Sequence, residues 1–244
     1  MKQSVLFVII IAWTPDRLSR SESPFFVVWN VGQGLWTTLV ESPSCEHVDS
    51  GGETFPSGID GYCRQEKNAL SFTHWDWDHV GFAGKIRNWP HICVQNEPGG
   101  STDSQRKKSL LQKIERCQGS PFQHIKELFA RHPLKVRTAN ADSRVYIVDG
   151  QVMVTGDLPA QLEKTISFSD RRNESVRMLV LGHHGSRTST SGYLLDRLIH
   201  LHLTIASSRR GKYGHPHREV LDRLRHKGIP IISTEEWGNI AVEL

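Results

Sequence analysis

The sequence of 244 residues lacks several features that mark simple classes of protein. Its four cysteines are widely spaced and form no Cys-x-x-Cys pair, so they show no zinc-knuckle or redox motif and do not decide the compartment. No internal repeat and no low-complexity tract is visible, and the apolar run from Val5 to Trp13 is too short to span a bilayer. What remains is 37% hydrophobic and 23% charged residues, a composition typical of one large globular domain with a sizeable core.

The amino-terminal segment admits three interpretations. Residues 5–13 are nine apolar residues preceded by one positive charge. They fit the hydrophobic part of a secretory signal, although no small-x-small cleavage site follows cleanly. An extra buried strand or an erroneous upstream start are the alternatives. We expect a leader and linker over residues 1–23, one folded domain over 24–244, and no stable membrane span. The expected location is cytoplasmic, or periplasmic or secreted if residues 1–13 act as a signal.

Positive charge is concentrated in the last third of the chain. From Arg171 to Lys227 there are twelve Lys or Arg against four Asp or Glu, a formal charge of +8, whereas the whole chain carries only +4. A basic region that also contains candidate site residues favours an anionic substrate. The alternative is a set of solvated helix faces with no ligand.

One short stretch concentrates potential metal ligands. The pattern His74-x-Asp76-x-Asp78-His79 places four of them within six residues, directly after the apolar run Ala69–Phe72. A buried strand that stops at such a cluster holds imidazole and carboxylate groups at a rigid edge, where metal ions can bind. The alternative interpretation is a polar turn with helix-capping aspartates.

Two further strand ends carry residues of the same chemistry. Asp157 follows the predicted strand Val152–Thr155, whose hairpin turn Asp149-Gly150 is a strong two-residue signal. The apolar run Met178–Leu181 leads into Gly182-His183-His184-Gly185-Ser186. Adjacent side chains after a strand point in different directions. We therefore favour His183 as the ligand, with His184 as the second choice.

A basic loop from Ser207 to His217 precedes a predicted helix that begins at Pro216, runs to His226 and is capped by Gly228. A basic loop that opens onto a helix amino terminus is a natural anion site. Three other histidines are given no functional role: His47 is predicted to be a satisfied surface residue, and His124 and His132 to be structural or exposed.

The remaining pattern is that of a mixed α and β protein, with strands first, then helix, then strands and helices again. This order suggests two packed sheets with helices outside. Predicted strands cover 25–30, 35–41, 45–48, 69–72, 91–94, 145–148, 152–155, 178–181, 203–206, 229–233 and 239–242, and predicted helices cover 102–116, 122–131, 192–201 and 216–226.

The motif at residues 74–79 resembles that of the metallo-β-lactamase-like superfamily, whose usual form has His where this chain has Asp76. The aspartate variant is similar to that of the C-terminal domain of ComEC-type DNA-uptake (competence) proteins. Three other stretches agree in the same order, from about Phe25 to Leu244: Asn30–Gly34, Gly182–Ser186 and Tyr213–His217. The resemblance implies an α+β fold, the αβ/βα four-layer sandwich, for the domain at 24–244.

The resemblance also implies a set of ligands. Two divalent metal ions would be bound, one by His74 and Asp76 and the other mainly by Asp78, His79 and His183. The Asp157 carboxylate would bridge them, and Asp49 would support the metal loop without being a ligand. Because Asp76 replaces an imidazole with a carboxylate, the two metal sites have a harder set of ligands. Manganese is therefore expected as an alternative to zinc.

The implied activity is hydrolysis of a phosphodiester, with DNA as the preferred substrate, by water that the two metals activate. Asp78 would take part in this chemistry. Three residues are predicted to bind phosphate or protonate the leaving oxygen: Lys212, His215 and His217. Four others are predicted to bind substrate: Gln33, His184, Ser186 and Tyr213. No base-reading motif is visible, so contacts would go mainly to the nucleic acid backbone. Two rival functions stay open: a small-molecule hydrolase of lactonase, β-lactamase or phosphoester type, and a non-catalytic nucleic-acid-binding module. A protein partner is also possible.

Overall fold

Two mixed β-sheets form the centre of the protein. The computed structural model describes residues 11–12, 23–119, 122–128, 138–168 and 175–244. Within these residues the first sheet has the strand order β1-β13-β2-β3-β4-β5-β6 and the second the order β12-β11-β10-β9-β8-β7. In each sheet, antiparallel pairs give way to parallel pairs: β4, β5 and β6 run parallel in the first sheet, and β9 to β12 in the second.

The strands are mostly three to five residues long. Their bounds are β1 Ile11–Ala12, β2 Phe25–Val28, β3 Thr37–Glu41, β4 Ser44–Val48, β5 Lys67–Ser71, β6 Ile92–Asn96, β7 Ile125–Leu128, β8 Val145–Val148, β9 Val152–Val154, β10 Met178–Val180, β11 Leu203–Ala206, β12 Ile231–Ser233 and β13 Ile240–Glu243. The helices are α1 Ile59–Cys63, α2 Trp77–Val80, α3 Ala83–Ile86, α4 Gln105–Leu111, α5 Ala160–Glu163, α6 Gly192–Arg197, α7 Arg210–Tyr213, α8 Arg218–His226 and α9 Thr234–Trp237.

The apolar strands are buried on both faces, which explains why they show no polar alternation. In β2, Phe26 and Val28 belong to the cluster between the two sheets, whereas Phe25 and Val27 face the cluster that contains residues of α1 and α3. The second sheet presents its outer face to α5, α6 and α8. The result is four layers, with a helical layer outside each sheet.

This arrangement brings the ends of parallel strands to one edge of the sandwich. Parallel strands β4 and β5 end just before Asp49 and His74, and parallel strands β9 and β10 end just before Asp157 and His183. The two sheets are joined here by Tyr146, whose hydroxyl donates to the carbonyl of Phe72 at 2.8 Å. The four strand ends therefore meet at one place.

Several predictions from the pattern require correction. Residues 122–131 were predicted to be a helix, but Ile125–Leu128 is strand β7, because it pairs with β8 in an antiparallel register. The last long helix begins at Arg218 rather than Pro216, with His217 as its N-cap. Helix α4 is shorter than the predicted 102–116. In the amino-terminal segment, Ile11–Ala12 pairs with β13. Residues 1–10 and 13–22 lie outside the described part of the chain, as does His132.

His47 is buried, so its assignment as a surface histidine is wrong. Its Nδ1 accepts from Trp36 Nε1 at 3.2 Å and its Nε2 donates to Asn68 Oδ1 at 3.0 Å. Burial lowers the pKa of His47 to about 4, against the Asn68 hydrogen bond, which raises it. A neutral ring with one donor and one acceptor satisfied is a structural residue in the core.

The four cysteines form two disulfides, Cys45–Cys63 and Cys93–Cys117, which no spacing in the sequence identified. Both join the first sheet to segments packed beside it. Among the described residues, no helix is both long and apolar enough to cross a membrane.

Candidate metal centre

The loop from His74 to His79 leaves β5 and turns directly into α2. Asp76 has the extended backbone of an N-cap, yet its carboxylate makes no capping hydrogen bond to α2. Instead its Oδ2 lies 3.5 Å from His74 Nε2, and its Oδ1 accepts from Lys107 Nζ at 3.3 Å. The interpretation of Asp76 as a helix-capping aspartate is therefore wrong.

Asp157 lies at the centre of the histidine cluster. Its Oδ1 is 3.1 Å from His79 Nε2, and its Oδ2 is 3.4 Å from His183 Nε2 and 3.9 Å from His74 Nε2. His184 Nε2 lies 3.8 Å from Asp157 Oδ1 and 3.2 Å from Asp78 Oδ2. One carboxylate thus faces four imidazoles, contributed by both sheets.

Two overlapping groups have the spacing of metal ligands. One consists of His74, His79 and Asp157, and the other of Asp78, His79 and His184, with the ligand atoms of each within 4.8 Å of one another. A third group, which contains Cys45, His47 and Cys63, does not qualify, because its two thiols form a disulfide.

The histidines of these groups have their Nδ1 atoms occupied and their Nε2 atoms free. His79 donates from Nδ1 to Asp49 Oδ2 at 2.7 Å, and His184 donates from Nδ1 to the Ser207 carbonyl at 3.1 Å. His74 Nδ1 lies 3.0 Å from Thr73 Oγ1, which itself donates to Asp49. Each ring therefore has its Nδ1 engaged and turns its Nε2 toward the cluster, the orientation of a metal-ligating histidine.

The buried atoms that face one another here lack hydrogen-bond partners. They are the Nε2 atoms of His74, His79 and His184, and Oδ1 of Asp157. A buried polar atom without a partner is costly, and several lone pairs directed at one space are satisfied by a cation. The nitrogen and carboxylate donors present therefore fit divalent metal binding.

Opposite charges in the cluster shift the pKa values of its carboxylates and of His79. Burial acts to raise the pKa of Asp157, but His79, His184 and His74 hold it well below its usual range. Asp78 behaves alike: burial raises its pKa, while His184 and His79 lower it overall. Burial would lower the pKa of His79, yet Asp157 and Asp49 raise it well above the usual value. Both carboxylates are thus anionic at neutral pH.

Asp49 lies where a supporting residue was predicted. Its Oδ1 accepts from the Thr73 backbone amide at 2.7 Å, and its Oδ2 accepts from Thr73 Oγ1 at 2.7 Å as well as from His79. Asp49 is fully buried and contacts Nδ1 of His79, whereas Asp157 lies near Nε2 of the same ring. Asp49 orients Thr73 and His79, and through Thr73 it also orients His74.

His183 and His184 occupy a turn in which both residues have left-handed backbone angles, with φ of 49° and 56°. Such angles are costly for residues other than glycine and occur where the surrounding structure holds them. His184 is buried beside Asp78, whereas His183 is partly exposed, with its Nδ1 3.2 Å from Thr188 Oγ1. The structure brings both histidines to Asp157, with His184 deeper; which one is the ligand stays a prediction.

Of the residues predicted to bind substrate or phosphate, Gln33 and Ser186 are buried, and His215 and His217 are partly exposed. Gln33 Nε2 donates to His215 Nδ1 at 3.1 Å, and the His215 ring lies 6.3 Å from that of His183. Burial and the neighbouring His184 lower the pKa of His215. Ser186 contacts Thr188, whereas His217 caps α8 by accepting from the Glu219 amide. Gln33 and His215 therefore lie beside the cluster, whereas the His217 side chain is used as the N-cap of α8.

Lys212 and Tyr213, predicted to contact substrate, both donate to Glu53 instead. The distances to Glu53 Oε1 are 2.7 Å from Lys212 Nζ and 3.1 Å from Tyr213 Oη. Sequence reasoning missed Glu53, because it belongs to no motif and precedes these partners by about 160 positions. It also missed the contact of Lys107 with Asp76, because the two residues are 31 positions apart.

An open cleft of about 650 Å³ lies beside His183. Its described lining is uncharged apart from that histidine: Thr138, Asn140, Pro159, Ala160, Gln161 and Thr188. The basic side chains of the last third of the chain are partly used elsewhere. Arg223, for example, donates to the carbonyls of Arg187, Ser189 and Thr190.

Similarity to solved structures identifies the class of fold. The chain is similar to the metallo-β-lactamase fold protein YhfI from Bacillus subtilis, with a TM-score of 0.53 and 15% identity, covering 89% of this chain and 99% of that one. It is also similar to a diphosphatase of the PhnP family (TM-score 0.52, 10% identity, 90% and 98% covered) and to Zn²⁺-bound PqqB from Methylobacterium extorquens (TM-score 0.52, 9% identity, 90% and 100% covered). The protein has the metallo-β-lactamase fold, which confirms the predicted four-layer sandwich.

Curated relatives are competence and recombination proteins. The chain is 29% identical to Recombination protein 2 of Haemophilus influenzae over 96% of this chain, and 27% identical to Competence protein ComA of Neisseria gonorrhoeae, also over 96%. It is 25% identical to ComE operon protein 3 of Bacillus subtilis over 72% of this chain. No family model matches. The predicted resemblance is confirmed, but the chain spans only 31%, 34% and 24% of these relatives' lengths.

Proposed function

We propose that the protein is a metal-dependent phosphodiesterase that cleaves DNA. The observation that carries this proposal is the buried cluster around Asp157, in which three imidazole Nε2 atoms and a carboxylate oxygen face one another without partners. A binding module has no need of such a cluster, since it costs stability unless a cation is bound.

Two divalent ions fit the proposed site. His74, Asp76 and Asp157 would hold one, and Asp78, His79, His184 and Asp157 the other, with His183 at the exposed side of the pair. This assignment differs from the prediction in preferring His184 to His183, because His184 is the buried ring and lies 3.2 Å from Asp78. Bound divalent ions would make water a stronger nucleophile and stabilise negative charge on the phosphate.

The chain's own residues would supply orientation and a proton donor. The amide of Gln33 is oriented by its Oε1, which accepts from the Arg209 backbone N–H at 3.1 Å. Its Nε2 then donates to His215 Nδ1, so the neutral His215 ring carries its proton on Nε2. We infer that this proton is available to the leaving oxygen of the cleaved ester.

DNA as the substrate is supported by the relatives' names and by the surroundings of the site. Trp77, within the metal loop, exposes 41% of its surface. Arg106 and Lys107 lie over its ring, with charge centres 5.0 and 5.7 Å from the ring centroid. An exposed aromatic ring beside cations suits a nucleic acid strand, because bases stack and phosphates pair with cations.

A small phosphoester is the second candidate substrate. The cleft beside His183 has a volume of about 650 Å³ and an uncharged described lining, which suits a small ligand better than a polyanion. The same metal cluster would serve both substrates, so only turnover distinguishes them.

The test is cleavage of single- and double-stranded DNA by purified protein with manganese, zinc or a chelator, beside a panel of small phosphoesters and lactones. We expect metal-dependent cleavage of DNA that Asp78→Ala abolishes. The matched control is Asp60→Ala, which removes an exposed carboxylate from α1 and should leave cleavage unchanged.

Other outcomes would identify the rivals. Turnover of small esters without DNA cleavage would favour the second candidate. DNA binding without cleavage, at every metal tried, would contradict the enzyme and favour a binding module.

A further inference from the structure

Four donors converge on the two carboxylate oxygens of Glu53, beside the candidate metal centre. Lys212 Nζ and Tyr213 Oη donate to Oε1 at 2.7 and 3.1 Å. Arg209 Nη1 and the backbone amide of Gln33 donate to Oε2 at 3.0 and 3.1 Å. We call Gln33, Arg209, Lys212 and Tyr213 the donor cradle.

The donor cradle matches the chemistry of a phosphodiester. Glu53 is a monoanion with two accepting oxygens, and each receives two donors, one of them a cation. A backbone phosphate is also a monoanion that presents two accepting oxygens, and arginine and lysine are its usual partners. The carboxylate therefore occupies a position that a phosphate could take.

The donor cradle also adjoins the proposed centre. Gln33 contributes its backbone amide to Glu53 and its side chain to His215, and the His215 ring lies near that of His183. Gln33 would thus connect an anion bound in the cradle to His215 through its backbone amide and its side chain. A nucleic acid strand cleaved at the metal centre carries a further phosphate on either side of the cleaved one.

The position is accessible and the carboxylate is ionised. The Arg209 and Lys212 side chains expose 46% and 55% of their surface, whereas that of Glu53 exposes 21%. Partial burial acts to raise the pKa of Glu53, but Lys212, the Gln33 amide, Arg209 and Tyr213 lower it to about 2. At neutral pH a negative charge therefore fills the cradle, and the cations around it face solvent.

We propose that the donor cradle is a phosphate subsite for the nucleic acid strand, and that the Glu53 carboxylate fills it until a backbone phosphate displaces it. This inference rests on the proposed function for the identity of the ligand. Glu53 then lowers affinity for nucleic acid, whereas a purely structural Glu53 would raise it by holding the cations in place.

The test measures binding without cleavage. Fluorescence anisotropy of a short labelled thymidine oligonucleotide is followed with wild type and Glu53→Gln in the presence of a chelator. Glutamine keeps the shape and one accepting oxygen but removes the charge. We expect Glu53→Gln to bind about three- to tenfold more tightly. Its plot of log affinity against log salt should be steeper by about 0.7, the value for one more phosphate contact on a single strand.

The matched control is Glu235→Gln. Glu235 accepts from the Arg210 backbone amide at 2.6 Å and lies outside the cradle. The substitution therefore removes the same charge beside the same loop. A general electrostatic effect would raise affinity equally in both variants and would overturn the subsite. Unchanged or weaker binding by a folded Glu53→Gln, checked by circular dichroism, would overturn it as well.

The result is separable from that of the proposed function. If Glu53→Gln binds the oligonucleotide more tightly while wild type cleaves no DNA with any metal, the subsite stands and the nuclease does not. If wild type and Glu53→Gln both fail to bind the oligonucleotide, the subsite is wrong, even if small phosphoesters are hydrolysed.

Discussion

Asp49 illustrates how one buried carboxylate determines the position of a neighbouring residue that we propose as a metal ligand. It accepts three hydrogen bonds, two from Thr73 and one from His79 Nδ1, and the last is 2.7 Å long. By holding the proton of His79 on Nδ1, Asp49 keeps Nε2 directed at Asp157. Outer partners of this kind tune metal affinity without touching the ion.

Asp49→Asn should therefore lower metal affinity while the fold is kept. An asparagine amide that turns its NH₂ toward His79 cannot accept from Nδ1–H, so the ring loses its orientation. We expect manganese or zinc to bind about 10- to 100-fold more weakly in calorimetric titration.

The control for this prediction is Asp60→Asn on α1, which should bind the metal as wild type does. Circular dichroism should show both variants folded. Unchanged affinity in Asp49→Asn would contradict the supporting role.

At the scale of elements, the turn after β4 and the turn into α2 interlock through their backbones. Ser50 donates its amide to the His79 carbonyl at 2.7 Å, and Leu35 donates to the Asp78 carbonyl at 2.9 Å. Gly51 packs directly on this segment: a Cβ there would lie 2.2 Å from the Asp78 carbonyl carbon and 2.3 Å from His79 N. No side chain fits between the two turns.

Gly51→Ala is expected to displace the segment that carries two proposed ligands. The free energy of unfolding should fall by about 1–3 kcal/mol, as for other overpacked sites, and metal affinity should fall with it. Urea unfolding and calorimetric titration measure the two effects.

Gly61→Ala is the matched control, because its Cβ would meet nothing within 4 Å and Gly61 lies inside α1. Alanine there should be neutral or stabilise the protein by up to about 1 kcal/mol. Equal effects of the two substitutions would show that Gly51 is not a packing constraint.

At the scale of the whole molecule, covalent cross-links are confined to one half of the sandwich. Cys45–Cys63 joins β4 to α1 across 18 positions, and Cys93–Cys117 joins β6 to the segment after α4 across 24. The second sheet contains no cysteine. The sheet that carries the His74–His79 loop is therefore the one whose unfolded chain is restricted by cross-links.

Removing either disulfide should lower the free energy of unfolding by about 3 kcal/mol, the value for loops of this length. The paired substitutions Cys45→Ala with Cys63→Ala, and Cys93→Ala with Cys117→Ala, test the two links separately by urea unfolding. Adding a reductant to wild type should give the combined loss. If reductant leaves the unfolding midpoint unchanged, the links do not stabilise the protein.

Local sequence patterns were sufficient to predict most strands. They were insufficient where pairing with a distant strand determines the secondary structure. The hairpin at Asp149–Gly150 was predicted and forms, with both residues at positive φ. Residues 125–128 look helical in isolation, yet they add to β8 as an edge strand, and such pairing lies beyond any local window. His47 resembles a surface histidine because its partners Trp36 and Asn68 are 11 and 21 positions away.

The sequence by itself determined the order of the strands and the chemistry at their ends, since apolar runs that stop at His or Asp carry both kinds of information locally. Only the tertiary structure decided which groups meet. It brought Asp157 within 3.1 Å of His79, placed His184 rather than His183 deepest, and joined Glu53 to cations more than 150 positions later. The physical reason is that packing two sheets face to face creates contacts between strand ends whose separation along the chain leaves no periodic trace.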